Sequence, residues 1–231
     1  MRHFLKFFFE QLYTTIAWAY DFVAFASSMG QWSAWQGVAI DGLPDGRILE
    51  LGFGTGHLLL EISKRGHVIV GIDSSKQMGK IARRRLRKEE LSMRIVQAAA
   101  QYLPLPENTF ASVFSSFPSN FIFESSTLAE IYRVLRPRGV LVIVPGVERI
   151  TGPIDKRISL IWFADTLSSW LYRITGEKNK SDHAWQRNII TLFTDAGFDV
   201  VLERINLPRA DVMRITATKR TTRGQAVPSK Q

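Results

Sequence analysis

Ile48-Leu-Glu-Leu-Gly-Phe-Gly-Thr-Gly56, followed by the apolar run His67-Val-Ile-Val-Gly-Ile-Asp73, decides the fold of this chain. The first four residues read as a buried strand. Gly52, Gly54 and Gly56 then supply a turn in which φ can become positive and a ligand can approach bare backbone. A helix expected from Leu58 to Arg65 follows at once, so its first N–H groups, which have no partner inside the helix, face that turn. Asp73 closes the next strand twenty-one residues after Gly52, a spacing suited to gripping ribose hydroxyls from a neighbouring parallel strand. Together these residues read as a nucleoside-binding site.

Outward from this stretch, strand and helix signals alternate. Strands are expected at 47–51, 68–72, 93–97, 111–116 and 140–144, and helices at 58–65, 76–91 and 125–135. Such repetition predicts an α/β fold, a Rossmann-like doubly wound sheet, mainly parallel, with helices on both faces. Arg136-Pro-Arg-Gly139 is expected to form a type I turn, with proline second and glycine fourth. A helix at 184–195 exits at Gly197, and strands near 200–205 and 212–217 flank Pro208.

A chain of 231 residues, 45% hydrophobic and 22% charged, can bury one sizeable core. The absence of cysteine excludes disulfides, thiolate zinc sites and cysteine nucleophiles, and the four histidines lack metal-ligand spacing, so no metal is expected. The net charge of +9 is clustered. Residues 76–94 carry eight bases against Glu89 and Glu90, and residues 204–231 carry seven against Asp211. On the first cluster Met78, Ile81, Ala82 and Leu86 fall on one side and the bases on the other. That is either a solvated amphipathic face or a surface attracted to anionic lipid or nucleic acid. No aromatic residue interleaves, which argues against a stacking platform for single strands.

At the N-terminal end, Leu5, Phe8, Phe9, Leu12, Tyr13, Ile16 and Tyr20 fall at helical spacing, and Phe4, Phe7 and Trp18 widen the apolar surface. This helix is expected to bury against the domain, a lipid surface or an oily substrate. Arg2, Lys6 and Ala24-Phe25-Ala26 resemble parts of a secretory leader, but Glu10 splits the apolar segment. No stretch reaches the ~20 apolar residues of a membrane span. The organisation expected is an N-terminal helical lid region at 1–45, a main domain at 46–219 with a helical cap inserted at about 146–180, and a flexible tail at 220–231.

A dinucleotide fingerprint, G-x-G-x-x-G, would need a glycine where this chain has His57. Glu50 two residues before Gly52, with the spacing G-x-G-x-G, instead resembles motif I of the class I S-adenosylmethionine-dependent methyltransferases. Leu103-Pro-Leu-Pro-Glu-Asn-Thr-Phe110 resembles that family's L-P-F-x-x-x-x-F segment. Glu130-Ile-Tyr-Arg-Val-Leu-Arg-Pro-Arg-Gly139 resembles its E-x-x-R-V-L-K-P-G-G helix exit. The matching region runs from about Gly46 to Pro145. Within the family, Tyr20-Asp21 and Gly30-Gln-Trp-Ser-Ala-Trp35 are similar to the Y-D and G-x-W-x-x-W region of the quinone-biosynthesis and related small-molecule subgroup.

The resemblance implies S-adenosylmethionine as cofactor and an antiparallel hairpin at the sheet edge. It implies that Glu50, Gly52, Phe53, Gly54, Thr55 and Gly56 line the methionine and ribose side, that Asp73 holds the ribose, and that Ser74 and Met78 border the adenine. Asp73 could also cap the helix beginning near Ser75, a role compatible with holding the ribose. Where the family often has an acid accepting from adenine, this chain has Ala99, flanked by Ala100 and Gln101, whose backbone amide or side chain would substitute. Ser115, from the end of the fourth strand, completes the cofactor-binding set. The general base is unassigned; His183 is a candidate, and His57 is expected to cap or pack its helix. Ser115-Ser-Phe-Pro-Ser-Asn120 does not match the N-P-P-Y or D-P-P-Y tetrapeptides of adenine and cytosine N-methyltransferases. The function implied is methyl transfer to a small apolar acceptor, a quinol-type ring or lipid-like molecule, in the cytoplasm, with peripheral contact at the inner face of the membrane left open. The alternatives are an RNA or other nucleic-acid methyltransferase, prompted by the charge, and a non-catalytic cofactor-binding protein, prompted by Ala99 and Ala111 standing where the family usually has Asp.

Overall fold

In the computed structural model, residues 31–89, 94–150 and 182–221 are described. The expected N-terminal helix at 1–30, most of the expected cap and most of the tail lie outside them. In chain order the elements are α1 (Trp32–Gly37), β1 (Ile48–Leu51), α2 (His57–Lys64), β2 (Ile69–Asp73), α3 (Lys76–Lys88), β3 (Arg94–Gln97), β4 (Phe110–Ser116), a 3-10 turn (Asn120–Phe123), α4 (Ser125–Val134), β5 (Leu135–Val144), β6 (Val147–Ile150), α5 (Asp182–Asp195), β7 (Phe198–Leu207) and β8 (Ala210–Lys219).

Strand side chains alternate between faces, and the central strands use both faces to build core. Leu49 and Leu51 of β1 join Val70 and Ile72 of β2 and Leu141 and Ile143 of β5 in one cluster, beneath Leu128, Ile131 and Val134 of α4 and Phe193 of α5. Ile48, Ile69, Phe114 and Val142 join the opposite cluster, covered by Trp35 of α1, Leu58, Leu59 and Ile62 of α2 and Ala82 of α3. The sheet therefore separates two apolar layers.

The strand order is β3-β2-β1-β4-β5-β8, with β7 along the other edge of β8. The pairs β1–β2, β2–β3, β1–β4 and β4–β5 are parallel, while β5, β6 and β7 run antiparallel to β8. This is the mainly parallel sheet with an antiparallel edge expected above. Two differences have local causes. β7 and β8 are longer than the apolar pattern indicates, pairing from Phe198↔Lys219 to Leu207↔Ala210 around Pro208-Arg209. Their polar residues belong to the ladder, since Glu203 sits opposite Arg214 and accepts from it at 2.9 Å. The stretch after Gly146 opens as a strand, β6, which pairs β8 beyond the point where β5 leaves it.

The expected type I turn at Arg136–Gly139 is not formed. Arg138 has φ 60°, whereas the third position of a type I turn needs negative φ. Positive φ there is the geometry a glycine relieves, so the arginine holds strained backbone. Gly139 is fixed by space: a Cβ on it would lie 2.8 Å from the Arg136 carbonyl oxygen.

Two of the sequence landmarks meet in space. Arg133 on α4 donates to the carbonyls of Leu105 (2.7 Å) and Leu103 (2.9 Å), and Glu130 accepts from the Leu103 N–H at 2.7 Å while pairing with Arg133. The Arg133 hydrogen bond, reinforced by the Leu103 amide, holds the Glu130 carboxyl below its ordinary range against the opposing effect of burial. The Leu-Pro-Leu-Pro loop is thus clamped to α4.

Gly56 caps α2 in the left-handed conformation, φ 80°. A Cβ there would sit 2.8 Å from the Ala82 Cβ of α3 and 3.3 Å from its Cα, so this glycine lets α2 and α3 approach. Gly54, also at positive φ, has nothing within 4 Å of such a Cβ. Gly56→Ala is expected to cost about 3 kcal/mol, strain and collision combined. Ala82→Gly in the same chain should recover the collision part. Gly54→Ala should lose only the backbone part, about 1 kcal/mol. Denaturant unfolding of the four proteins measures this, and equal losses for the two single alanines would refute the packing role of Gly56.

Candidate functional site

β1 and β4 are neighbours, yet the chain leaves β1 towards β2 and β3 and leaves β4 towards β5. A crevice therefore opens at their carboxyl ends, where such sheets bind ligands. The loop Gly52–Gly56 lies there, with φ of 74°, 54° and 80° at its three glycines. The Gly52 N–H donates to the Ile72 carbonyl at 2.7 Å, and Gly56 N–H to Phe53 at 2.9 Å. Asp73 accepts from the Gly54 N–H through Oδ2 and from the Ser75 N–H through Oδ1, each at 2.8 Å. From β4, the Ser115 hydroxyl donates to the Leu51 carbonyl at 2.6 Å. The ends of β1, β2 and β4 are tied together by these bonds.

Glu50 is 2% exposed, and its Oε2 has no hydrogen-bond partner among the described residues. Burial pushes its carboxyl up to about 8, and the charge of Asp73 adds to the rise. Burial also raises Asp73, against the lowering effect of its bonds from Ser75 and Gly54. Two desolvated acids thus converge on the glycine loop. An unpaired buried carboxyl is costly, and a cationic ligand group is the chemistry that relieves it.

The structure brings Glu50, Gly52, Gly54, Asp73 and Ser115 to the crevice. Phe53 is buried in the core under α2, near the position a Cβ on Gly71 would take. Thr55 is buried, and its carbonyl accepts from Arg85. Met78 is closed off, its N–H donating to Ser75, which is the N-cap of α3. Asp73 therefore is not the cap; it binds the cap residue's amide. Ser74 and Ala99 are exposed and Ala100 is buried, while the Gln101 side chain donates to Glu124 at 2.7 Å. His57 is the first residue of α2. His183 falls in the first turn of α5, and its side chain lies outside the described residues.

Phe121, in the 3-10 turn after β4, is the residue the sequence reading passed over. A Cβ on Gly52 would meet its ring at 3.4 Å, so the ring stands against the loop. On the other side of the sheet, just past the end of β4, Phe117, at φ 49°, packs with a 31° tilt on Trp32 of α1 with ring centroids 4.4 Å apart, and Trp35 adds a tilted contact at 6.5 Å. Gln36 reaches Ser116 at 3.4 Å. The position of Phe121 just past the carboxyl end of a site-bearing strand was the available signal.

A family described as "Methyltransferase domain" matches residues 48–139. The ubiquinone/menaquinone biosynthesis C-methyltransferase UbiE of Photorhabdus laumondii is 30% identical over 212 residues, covering 83% of this chain and 82% of that protein. The chain belongs to the class I S-adenosylmethionine-dependent methyltransferases. The demethylmenaquinone methyltransferase of Thermus thermophilus is 36% identical over 58% of this chain, and the match spans 63% of that protein's length. In fold, the methyltransferase matches geranyl diphosphate C-methyltransferase from Streptomyces coelicolor with a TM-score of 0.59 at 12% identity, over 81% of this chain and 79% of that one.

S-adenosylmethionine is the cofactor of this methyltransferase, and the residues present fit it. The unpartnered Glu50 carboxyl suits a cationic molecule, and the space at Gly54 leaves the loop backbone open to one. The raised Glu50 carboxyl also sets a pH dependence. The folded, cofactor-free protein keeps a proton that the unfolded chain releases near the ordinary value of 4.5, so stability from this group is full below about 4.5 and is lost as pH rises through about 8. Asp73 acts in the same direction. The thermal midpoint of the cofactor-free enzyme should fall between pH 5.5 and 8.5, with a clearly flatter profile in Glu50→Gln. An unchanged slope in that variant would place the proton elsewhere.

Proposed function

We propose that this enzyme methylates a small, apolar acceptor of the quinol type, a ring carrying a lipid-like substituent. The observation that carries the reading is the Phe121 ring standing against Gly52 of the loop, with Phe117 packed on Trp32 across the sheet at the same end of β4. An aromatic ring at the loop offers a flat acceptor a stacking surface and helps exclude water from the transfer. The names of the Photorhabdus and Thermus relatives, both methyltransferases of quinone biosynthesis, support the same acceptor class.

When bound, S-adenosylmethionine supplies a methyl group on a sulfonium that an acceptor's electron pair can displace. The protein's task is to hold donor and acceptor in line and dry. In this proposal Glu50 and the loop Gly52–Gly56 hold the methionine end and Asp73 the ribose hydroxyls. Ser74 and the Ala99–Gln101 segment border the base. Ser115 supports β1 by its bond to Leu51. An acceptor with a lipid-like tail would be met at a membrane surface, as a peripheral encounter. Among the described residues no helix is long and apolar enough to cross a membrane.

The test is transfer of labelled methyl from S-adenosylmethionine into an extract of source cells, partitioned into organic, aqueous, RNA and protein fractions. Label in the organic phase is expected; label confined to RNA would overturn the reading. With the lipophilic acceptor in hand, Phe121→Ala should lower kcat/KM about thirtyfold, as loss of a buried aromatic surface worth about 2 kcal/mol requires. Cofactor affinity, measured by calorimetry, should stay within about threefold, and an acceptor kcat/KM equal to wild type would remove Phe121 from the pocket.

A further inference from the structure

α3 carries seven basic residues among thirteen and no acid. Its buried seam is Met78, Gly79, Ala82 and Leu86. At about 100° per residue, Lys76, Lys80, Arg83, Arg84, Arg87 and Lys88 fall within an arc of about 140° opposite that seam, and all six are exposed. Among the described residues Lys76, Lys80, Arg84, Arg87 and Lys88 enter no hydrogen bond or ion pair, and Arg83 makes one long bond, 3.4 Å, to the Ile95 carbonyl. Two described acids nearby are already engaged, Glu61 by Arg65 and Glu89 by Lys64.

The fold does not need this stripe. Lys76 and Lys80, Lys80 and Arg84, Arg83 and Arg87, and Arg84 and Lys88 are like charges four residues apart, which weakens a helix. Lys76 stands in the first turn, where the helix dipole disfavours a cation and no acid offsets it. A solvated polar face would be served by mixed charges, so the uniform sign points to a partner outside the chain.

The stripe begins at the crevice, because α3 starts directly after Asp73, Ser74 and the capping Ser75. It then runs about 20 Å along one straight helix. At the same end of the sheet, on the loop after β3, stands Tyr102, 81% exposed, an amphipathic ring of the kind that settles at a headgroup boundary. No aromatic side chain interrupts the bases on α3, so unpaired nucleotides would find nothing to stack on along it. We propose that this face of α3, joined by Tyr102 from the loop at the same end of the sheet, docks the enzyme on an anionic lipid bilayer and presents the crevice mouth to the membrane. The proposal rests on the lipophilic-acceptor reading for its purpose, but its binding test stands alone.

The full chain is sedimented with phosphatidylcholine vesicles and with vesicles containing 30% phosphatidylglycerol. Binding is expected only to the anionic vesicles and should fall steeply between 0.1 and 0.5 M salt. Each base near an anionic surface contributes about fivefold to partition, so Lys80→Gln/Arg84→Gln/Arg87→Gln should lose about a hundredfold. That variant should keep its thermal midpoint, its cofactor affinity and its transfer to detergent-dispersed acceptor. The exposed trio Arg138→Gln/Arg187→Gln/Arg209→Gln, equal in net charge, should lose less than tenfold. Equal losses in the two triple variants would reduce the effect to overall charge and overturn the proposal, as would failure to bind anionic vesicles, or RNA binding lost in the α3 variant without vesicle binding. Vesicle binding with no label in the lipophilic fraction would leave the docking face standing and remove the acceptor reading. Label there without vesicle binding would do the reverse.

Discussion

Asp73 joins the parts of this protein that have to move together if the crevice is to keep its shape. One carboxylate oxygen holds the amide of Gly54 and the other the amide of Ser75, so the loop after β1 and the start of α3 share a single anchor at the tip of β2. Charge-assisted bonds of this sort are stronger than neutral ones, and these two oppose, without cancelling, the rise that burial gives the Asp73 carboxyl. The anchor leaves further lone pairs on each oxygen, which is why structural and ligand-holding roles are compatible in one side chain. Ser115, bound to Leu51, repeats the device from the other side of β1.

A second set of contacts sets the far wall. Arg133 and Glu130 hold the Leu103–Leu105 backbone against α4, and Lys219 of β8 donates to the Leu135 carbonyl at 2.7 Å and to Asn108 at 3.0 Å. Buried amines are disfavoured as cations, and the Lys219 ammonium is lowered by its burial while Glu107 raises it. These bonds link the loop after β3, the exit of α4 and the last strand. The short sequence landmarks are therefore not independent signs of a family; several are the two halves of one contact.

The central strands are legible in the sequence because both faces are buried, so each is a nearly continuous apolar run bounded by glycine or polar residues. The cofactor loop is legible because three glycines at alternate positions, followed at once by a helix, form a distinctive pattern. The edge strands are under-read, since Glu203, Arg204, Asp211 and Arg214 pair across the ladder and resemble loop chemistry when taken singly. The turn at Arg138 is misread because proline followed by glycine two positions later fits more than one turn, and its deciding φ belongs to an arginine. Motif position also says nothing of depth: Phe53 and Met78 lie within the pattern but are packed away, and Phe121, which has no reactive group to advertise itself, stands at the crevice.

The unpartnered carboxyl of Glu50 has a bearing on how long the enzyme lasts in a cell. A ligand that binds only the folded form adds stability in proportion to the logarithm of its concentration over its dissociation constant. Here the fold carries a buried acid with one oxygen unmatched among the described residues, so an occupant that partners it adds to the native state's margin. Small differences in that margin change the steady-state amount of a protein severalfold through proteolysis. The supply of methyl donor would then govern the quantity of this catalyst as well as its turnover, and a cell short of donor would clear the enzyme it could not use.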